Sequence, residues 1–184
     1  YKRQATSCQL VPYANCAGAD LSNMNLSRMD LTGIDLRGAN LQNTIFDYAT
    51  LNGADLRSIV AFNATFVSAG MNNTYLQNAE FNKYDLSCRG YCGAANLANA
   101  YLAFADLSRA SLIQVNLSYA DLYSAELSNA EITNADLTNA QMSSANLNNA
   151  NLAGSVVNYG NLFKSELVNT NLNNAVFTNA DLRI

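Results

Sequence analysis

Four cysteines, fourteen carboxylates and no histidine bound the chemistry open to this 184-residue chain. The cysteines fall in two close pairs, Cys8/Cys16 and Cys88/Cys92. A Cys-x-x-x-Cys pair with no histidine and no second such pair beside it makes a poor zinc site, and thioredoxin-like exchange chemistry uses Cys-x-x-Cys. Two local disulfides, Cys8–Cys16 and Cys88–Cys92, fit better, each worth about 2–3 kcal/mol in a chain-entropy account of loop closure. They place the chain in an extracytoplasmic, oxidising compartment: periplasm, thylakoid lumen or cell exterior. Reduced, buried thiols in a cytoplasmic protein are the alternative. The missing histidine removes the commonest general base and the commonest metal ligand together.

The carboxylates are spread, and their spread leads to the elements that carry them. From residue 95 onward every fifth residue is apolar: centres run from Leu97 to Leu182, 18 units, of which 14 are Leu. Two residues before each centre, 13 of the 18 positions are Ala. The first half carries the same pattern in another frame, with 14 centres from Leu21 to Leu86 and Cys16 as an irregular first one. With the centre written i, 13 of the 14 acidic residues occupy i−1; only Asp47 does not. No charge falls at i or i−2, as the cost of burying charge demands.

A period of five suits neither a helix, which would smear Leu around its surface, nor an alternating strand. It suits a chain that turns a corner every five residues, with i and i−2 pointing inward. Four corners close a coil of about 20 residues, and each coil buries its core only by stacking on the next.

The Ala-[Asp/Asn]-Leu-x-x motif, over residues 19–184, resembles that of the pentapeptide-repeat family. The resemblance implies an all-β right-handed quadrilateral parallel β-helix, a solenoid of about eight coils. Residues 1–18, with the only proline, Pro12, form an N-terminal cap. Family members often carry a C-terminal helix or dimer module that this chain lacks, which implies truncation, a monomer, or weak end-to-end dimerisation. The gap from Leu86 to Leu97 is 11 rather than 10, a one-residue frame shift within 87–94. That segment is either a loop displaying Arg89 and Tyr91 or a tolerated insertion clamped by Cys88–Cys92.

No catalytic residue, cofactor or metal site is expected, because the carboxylates form stripes on a convex rod and imply no pocket. Net charge is −4 and only 13% of residues are charged, which disfavours nucleic acid and anionic membranes as partners. No apolar run is long enough to insert in a membrane as a helix. The remaining default is a structural or protein-interaction scaffold. Outward aromatics supply a candidate contact patch, with Phe62, Tyr101, Tyr123 and Phe163 expected on one face. Two alternatives are weaker. Some family members mimic DNA and inhibit gyrase, and Asp85, Asp106, Glu126 and Glu166 form a short acidic column. Yet about 40 Å of duplex carries about 24 negative charges, far beyond this chain. Binding to ice or an ordered surface would use Ser118, Thr138, Asn158 and Thr178, continued in the first half by Arg37, Arg57 and Gln77, which is not a regular Thr array.

Overall fold

The computed structural model describes residues 8–81, 83–85, 90–92 and 94–183. It is a right-handed quadrilateral β-helix. The sides of the coils are too short for extended strands, so each five-residue unit contributes one parallel bridge at i−1. The bridges form four ladders. The first side runs Asn15, Asp35, Asp55, Tyr75, Asp106, Glu126, Asn146, Glu166. The second starts at Asp20, the third at Asn25 and the fourth at Asp30, each with eight rungs, so eight coils stack. The first side is opposite the third, and the second opposite the fourth.

The five-residue motif follows from hydrogen-bond accounting, since a buried backbone group left unpaired costs free energy. In the unit centred on Leu36, the i−1 N–H donates to the coil before (Asp35 to Ala14, 2.9 Å). The i and i+2 N–H groups donate to the coil after (Leu36 to Asp55, 2.8 Å; Gly38 to Arg57, 2.9 Å). The next i−2 N–H closes the corner onto the centre (Ala39 to Leu36, 2.9 Å). Only the i+1 N–H remains, and the i−1 side chain takes it: Arg37 N–H donates to Asp35 Oδ1 at 3.1 Å. The same capture recurs at Asp20, Asn96, Asp121, Asn151 and Asn161. Asp or Asn at i−1 is therefore a corner-holding residue as well as a surface one.

Every corner also needs a residue of positive φ at i+2. From Gly18 to Asn179 these residues lie at φ between 51° and 71°. Thirteen of them are Asn and five Gly, the types that enter the left-handed region most cheaply.

The interior is a continuous column of centres and mostly small i−2 residues, all but fully buried among the described residues from Leu31 to Leu162. In the first half three aromatics widen it: Phe46 stacks on Phe66 (4.9 Å between centroids) and Phe66 meets Phe81 edge-on (6.1 Å). Ile59 and Ala61 are both fully buried, so a bulky i−2 accompanies a small centre. Three of the polar residues at i−2 are satisfied by backbone carbonyls: Thr44 on Leu21, Thr74 on Met71 and Ser155 on Leu152. At the N-terminal end Met24 is 38% exposed although it stands at an inward position.

Two expected boundaries move. The first bridge is Asn15 to Asp35 and Cys16 is a buried centre, so the ladder begins inside the segment assigned to the cap. At mid-rod the ladders step by 20 residues on both sides but by 31 from Thr65 to Asn96. Ala95 N–H closes the corner onto Phe81, where a regular corner joins residues three apart. The interruption is therefore 11 residues long rather than one. Part of it pairs as an antiparallel hairpin, β1 (Lys83–Asp85) with β2 (Gly90–Cys92), Tyr84 facing Tyr91. The motif at 84–86 fits the repeat by sequence, but Asp85 pairs with Gly90 and is no rung of the helix.

Candidate interaction surface

Cys16 is held as the first centre of the first side, and a disulfide joins it to Cys8 with Cα atoms 5.2 Å apart. Cys88 and Arg89 lie outside the described residues. Tyr91 and Cys92 lie in β2, where only the backbone is described.

The 31-residue step redistributes the expected surface residues. Tyr101, Tyr123 and Phe163 stand together on the fourth side. Phe62 does not: two extra units leave the coil, half a turn of the square, and place it on the second side, opposite. Asp85 leaves the acidic column for the same reason. The column below Asp106 is Tyr75, Asp55 and Asp35, and the last two are paired with arginines. The Thr-containing column of the third side continues downward through Ala98, Val67, Asp47 and Ser27, so it is again no regular Thr array.

Among the described residues nine aromatics have at least 38% of their surface exposed; six lie on the fourth side or on the corner that leads into it from the third, and Phe104 lies on the corner that leaves it. Tyr48, Tyr119 and Tyr159 occupy the leading corner, in coils two, five and seven. Tyr123 and Phe163 follow on the fourth side in coils five and seven, with Tyr101 and Phe104 in coil four. Phe104 meets Tyr123 edge-on at 5.4 Å. Lys164 and Arg183 approach the Phe163 ring at 5.1 and 5.3 Å, and Arg28 approaches Tyr48 at 5.5 Å.

Four of these rings occupy corners at positive φ: Tyr48, Phe104, Tyr119 and Tyr159, at 58–60°. An ordinary L residue there costs about 1–2 kcal/mol, a cost that Gly and, in part, Asn escape. The corresponding corners of the first and second sides hold Asn, Gly, Ser, Arg109 and Gln114 and no aromatic. Tyr101 makes a further departure: it fills an i−1 position and brings no short-range acceptor, so Ala103 N–H donates instead to Asn72 in the coil before, at 3.1 Å.

That substitution also explains Asp47. It stands at i+1 and accepts from Val67 N–H in the next coil at 3.1 Å, where the i−1 residue is Thr65. Asn52, Asn148 and Asn158 do the same for Asn72, Val168 and Thr178.

The first side is ionic. Arg37 bridges Asp35 at 2.7 Å and Asp55 at 3.6 Å, and Arg57 holds Asp55 at 2.5 Å. The Arg37 hydrogen bond lowers the Asp35 pKa. At the far end Arg183 holds Asp181 and lowers its pKa to about 2. Shallow polar grooves pass Arg57, Gln77 and Arg109, and Gln77 donates to Asp106 at 2.5 Å. Among the described residues no three His, Cys, Asp or Glu side chains converge as a metal site would require.

A solenoid of Ala-[Asp/Asn]-Leu coils with a corner acceptor at i−1 defines a repeat scaffold, and the chain belongs to the pentapeptide repeat family. Its sequence matches the family described as pentapeptide repeats in eight copies, over residues 14–53, 95–134, 120–158 and 161–183. Among solved structures it is similar to HetL, a pentapeptide repeat protein involved in heterocyst differentiation regulation from the cyanobacterium Nostoc sp. strain PCC 7120. That likeness has 27% identity and a TM-score of 0.76, covering 91% of this chain and 74% of HetL. It shares its fold with a trypsin-treated variant of QnrB1, a plasmid-mediated fluoroquinolone resistance protein, at 15% identity and a TM-score of 0.57, covering 89% of this chain and 82% of that one. No curated protein matches the chain.

Proposed function

We propose that this protein is a non-catalytic scaffold that presents its aromatic fourth side to a protein partner. The observation that carries the reading is the four corner aromatics. They are placed where Asn would hold the coil at lower cost, and each exposes more than half its surface. Both features work against folding, and backbone outliers retained at such a cost cluster at functional sites. Aromatic anchors are also the side chains that dominate protein interfaces. The Cys8–Cys16 disulfide supports an oxidising, extracytoplasmic compartment as the place of action.

The test is a comparative capture from the native compartment. Three baits are used: the wild type, a fourth-side variant (Tyr119→Asn, Tyr123→Ser, Tyr159→Asn, Phe163→Ser) and a first-side variant (Arg57→Ser, Arg109→Asn). Proteins held by the wild type and the first-side variant but lost by the fourth-side variant support the reading. Equal capture by all three baits, or loss only with the first-side variant, overturns it.

A further inference from the structure

Beyond Tyr48 in coil two and Tyr101 and Phe104 in coil four, the exposed aromatics of the fourth side and its leading corner stand in two groups two coils apart. Coil five presents Tyr119 and Tyr123, coil seven presents Tyr159 and Phe163, and coil six presents Asn139, Gln141 and Ser143 between them. Coils are stacked at the strand spacing of about 4.8 Å, so the two aromatic pairs stand about 9.6 Å apart along the rod. A polyproline II helix has three residues per turn and rises about 3.1 Å per residue, so it returns the same face every ~9.3 Å. A Pro-x-x-Pro segment lying along the rod therefore sets one proline on each pair. Aromatic walls are the surface on which such segments dock elsewhere, because the extended helix is preformed and loses little entropy on binding.

Two further features fit the same occupant. A polyproline II backbone makes no internal hydrogen bonds, so its carbonyls need donors. The Tyr119, Tyr123 and Tyr159 side chains are 46–60% exposed, and their hydroxyls are engaged in no hydrogen bond among the described residues. Charge also gives the surface a direction. Asp121 lies at the coil-five end, between Tyr119 and Tyr123, while at the other end Lys164 flanks Phe163 beside Arg183, whose charge is answered by Asp181.

We propose that the fourth side, from Asp121 to Lys164, binds a proline-rich segment of a partner protein in the polyproline II conformation, with an acidic residue placed at the Lys164 end. The proposal rests on the scaffold reading above and names the chemistry of its partner.

The test uses the full chain and a fluorescein-labelled decaproline with glutamates at one terminus, followed by fluorescence anisotropy. Saturable binding with a micromolar Kd is expected, and none for a Gly-Ser peptide of equal length with the same termini. A Pro-Ala-Ala repeat should outbind a Pro-Ala repeat of equal proline number, because only the first keeps its prolines on one face. The Tyr119→Asn/Tyr159→Asn and Tyr123→Ser/Phe163→Ser pairs should each weaken binding at least tenfold, and Arg57→Ser should leave it unchanged. The Asn variants suit the positive-φ corners, so a melting curve separates lost binding from lost folding. No saturation at millimolar protein, or wild-type affinity in both double variants, overturns the proposal. So does saturable binding of cellohexaose, followed by tyrosine fluorescence, without decaproline binding, which would assign the surface to a glycan. Should decaproline fail while the capture experiment still depends on the fourth side, the occupant is wrong and the scaffold reading stands. Should both fail, both fall.

Discussion

The first and fourth sides are built on one backbone and one hydrogen-bond pattern, yet one is ionic and the other aromatic. On the first side Asp35, Arg37, Asp55 and Arg57 answer one another, and the corners hold Asn, Gly, Ser and Arg109. The fourth side departs from the rules of the coil. Tyr101 sits where an acceptor belongs, as Tyr75 does once on the first side, and Phe104, with Tyr119 and Tyr159 on the adjoining corner, sits where Asn belongs. The difference separates residues that make the rod from residues that the rod merely tolerates. Exposed ion pairs of the first-side kind contribute about 0–1 kcal/mol each, so that side gains little beyond solubility.

The largest effect should come from the interior that both sides share. Phe66→Ala removes the ring between Phe46 and Phe81 and should cost about 3–5 kcal/mol. Chemical denaturation should show one lowered midpoint whichever side is probed; a loss confined to one side would mean that the sides fold as separate units. Next comes the clamp on the first coil of the first side. Cys8→Ser should lower stability by about 2–3 kcal/mol. Mass spectrometry without reductant checks the bond itself, and alkylation of Cys8 in the unreduced protein would refute it.

Exchanging corners between the sides tests the contrast directly. Tyr119→Asn should raise stability by about 1 kcal/mol, and Asn129→Tyr, its counterpart on a first-side corner, should lower it by a similar amount. Thermal melting reads both, and a destabilised Tyr119→Asn protein would mean that the ring supports the fold. The smallest effect is acid sensitivity. Arg183 lowers the Asp181 pKa to about 2 from 3.8, so this group favours the folded state above about pH 4, and that contribution fades as pH falls toward 2. Asp30 and Asp35 shift in the same direction, Asp30 through the Thr32 hydroxyl and Asp35 through Arg37. Melting temperatures taken from pH 7 down to pH 2 should hold and then drop below about 4, and Asp181→Asn should flatten part of that drop.

The fold was legible because the repeat writes burial into a strict period. Leu at i and Ala at i−2 are what a narrow core demands, and the structure buries them as the period says. The same period concealed other causes. Asp and Asn at i−1 read as solvated stripes, although each captures an N–H that the ladder leaves over. Asn at i+2 left no mark on the burial period, although its tolerance of positive φ is what turns the corner. Asp47 stood out of frame, and its reason lies 20 residues on, at Val67. Tyr101, Tyr123 and Phe163 were placed together by counting within one frame. Phe62 was misplaced because counting across 87–94 presumed one extra residue, and no sequence spacing reveals that the motif at 84–86 is excluded from the ladder.

That exclusion has a consequence for how such a chain can change its length. Across residues 82–94 a two-residue corner has become thirteen residues, while the coils on either side keep their 20-residue step and their bridges. The helix counts corners and not residues. An insertion that starts and ends at a corner is silent to the ladder, whatever its length. One that falls between i−2 and i would turn every following side chain to the wrong face. Duplications and loop insertions in this lineage should therefore have breakpoints at the i+1/i+2 corners, and those corners are the natural graft points for an engineered loop.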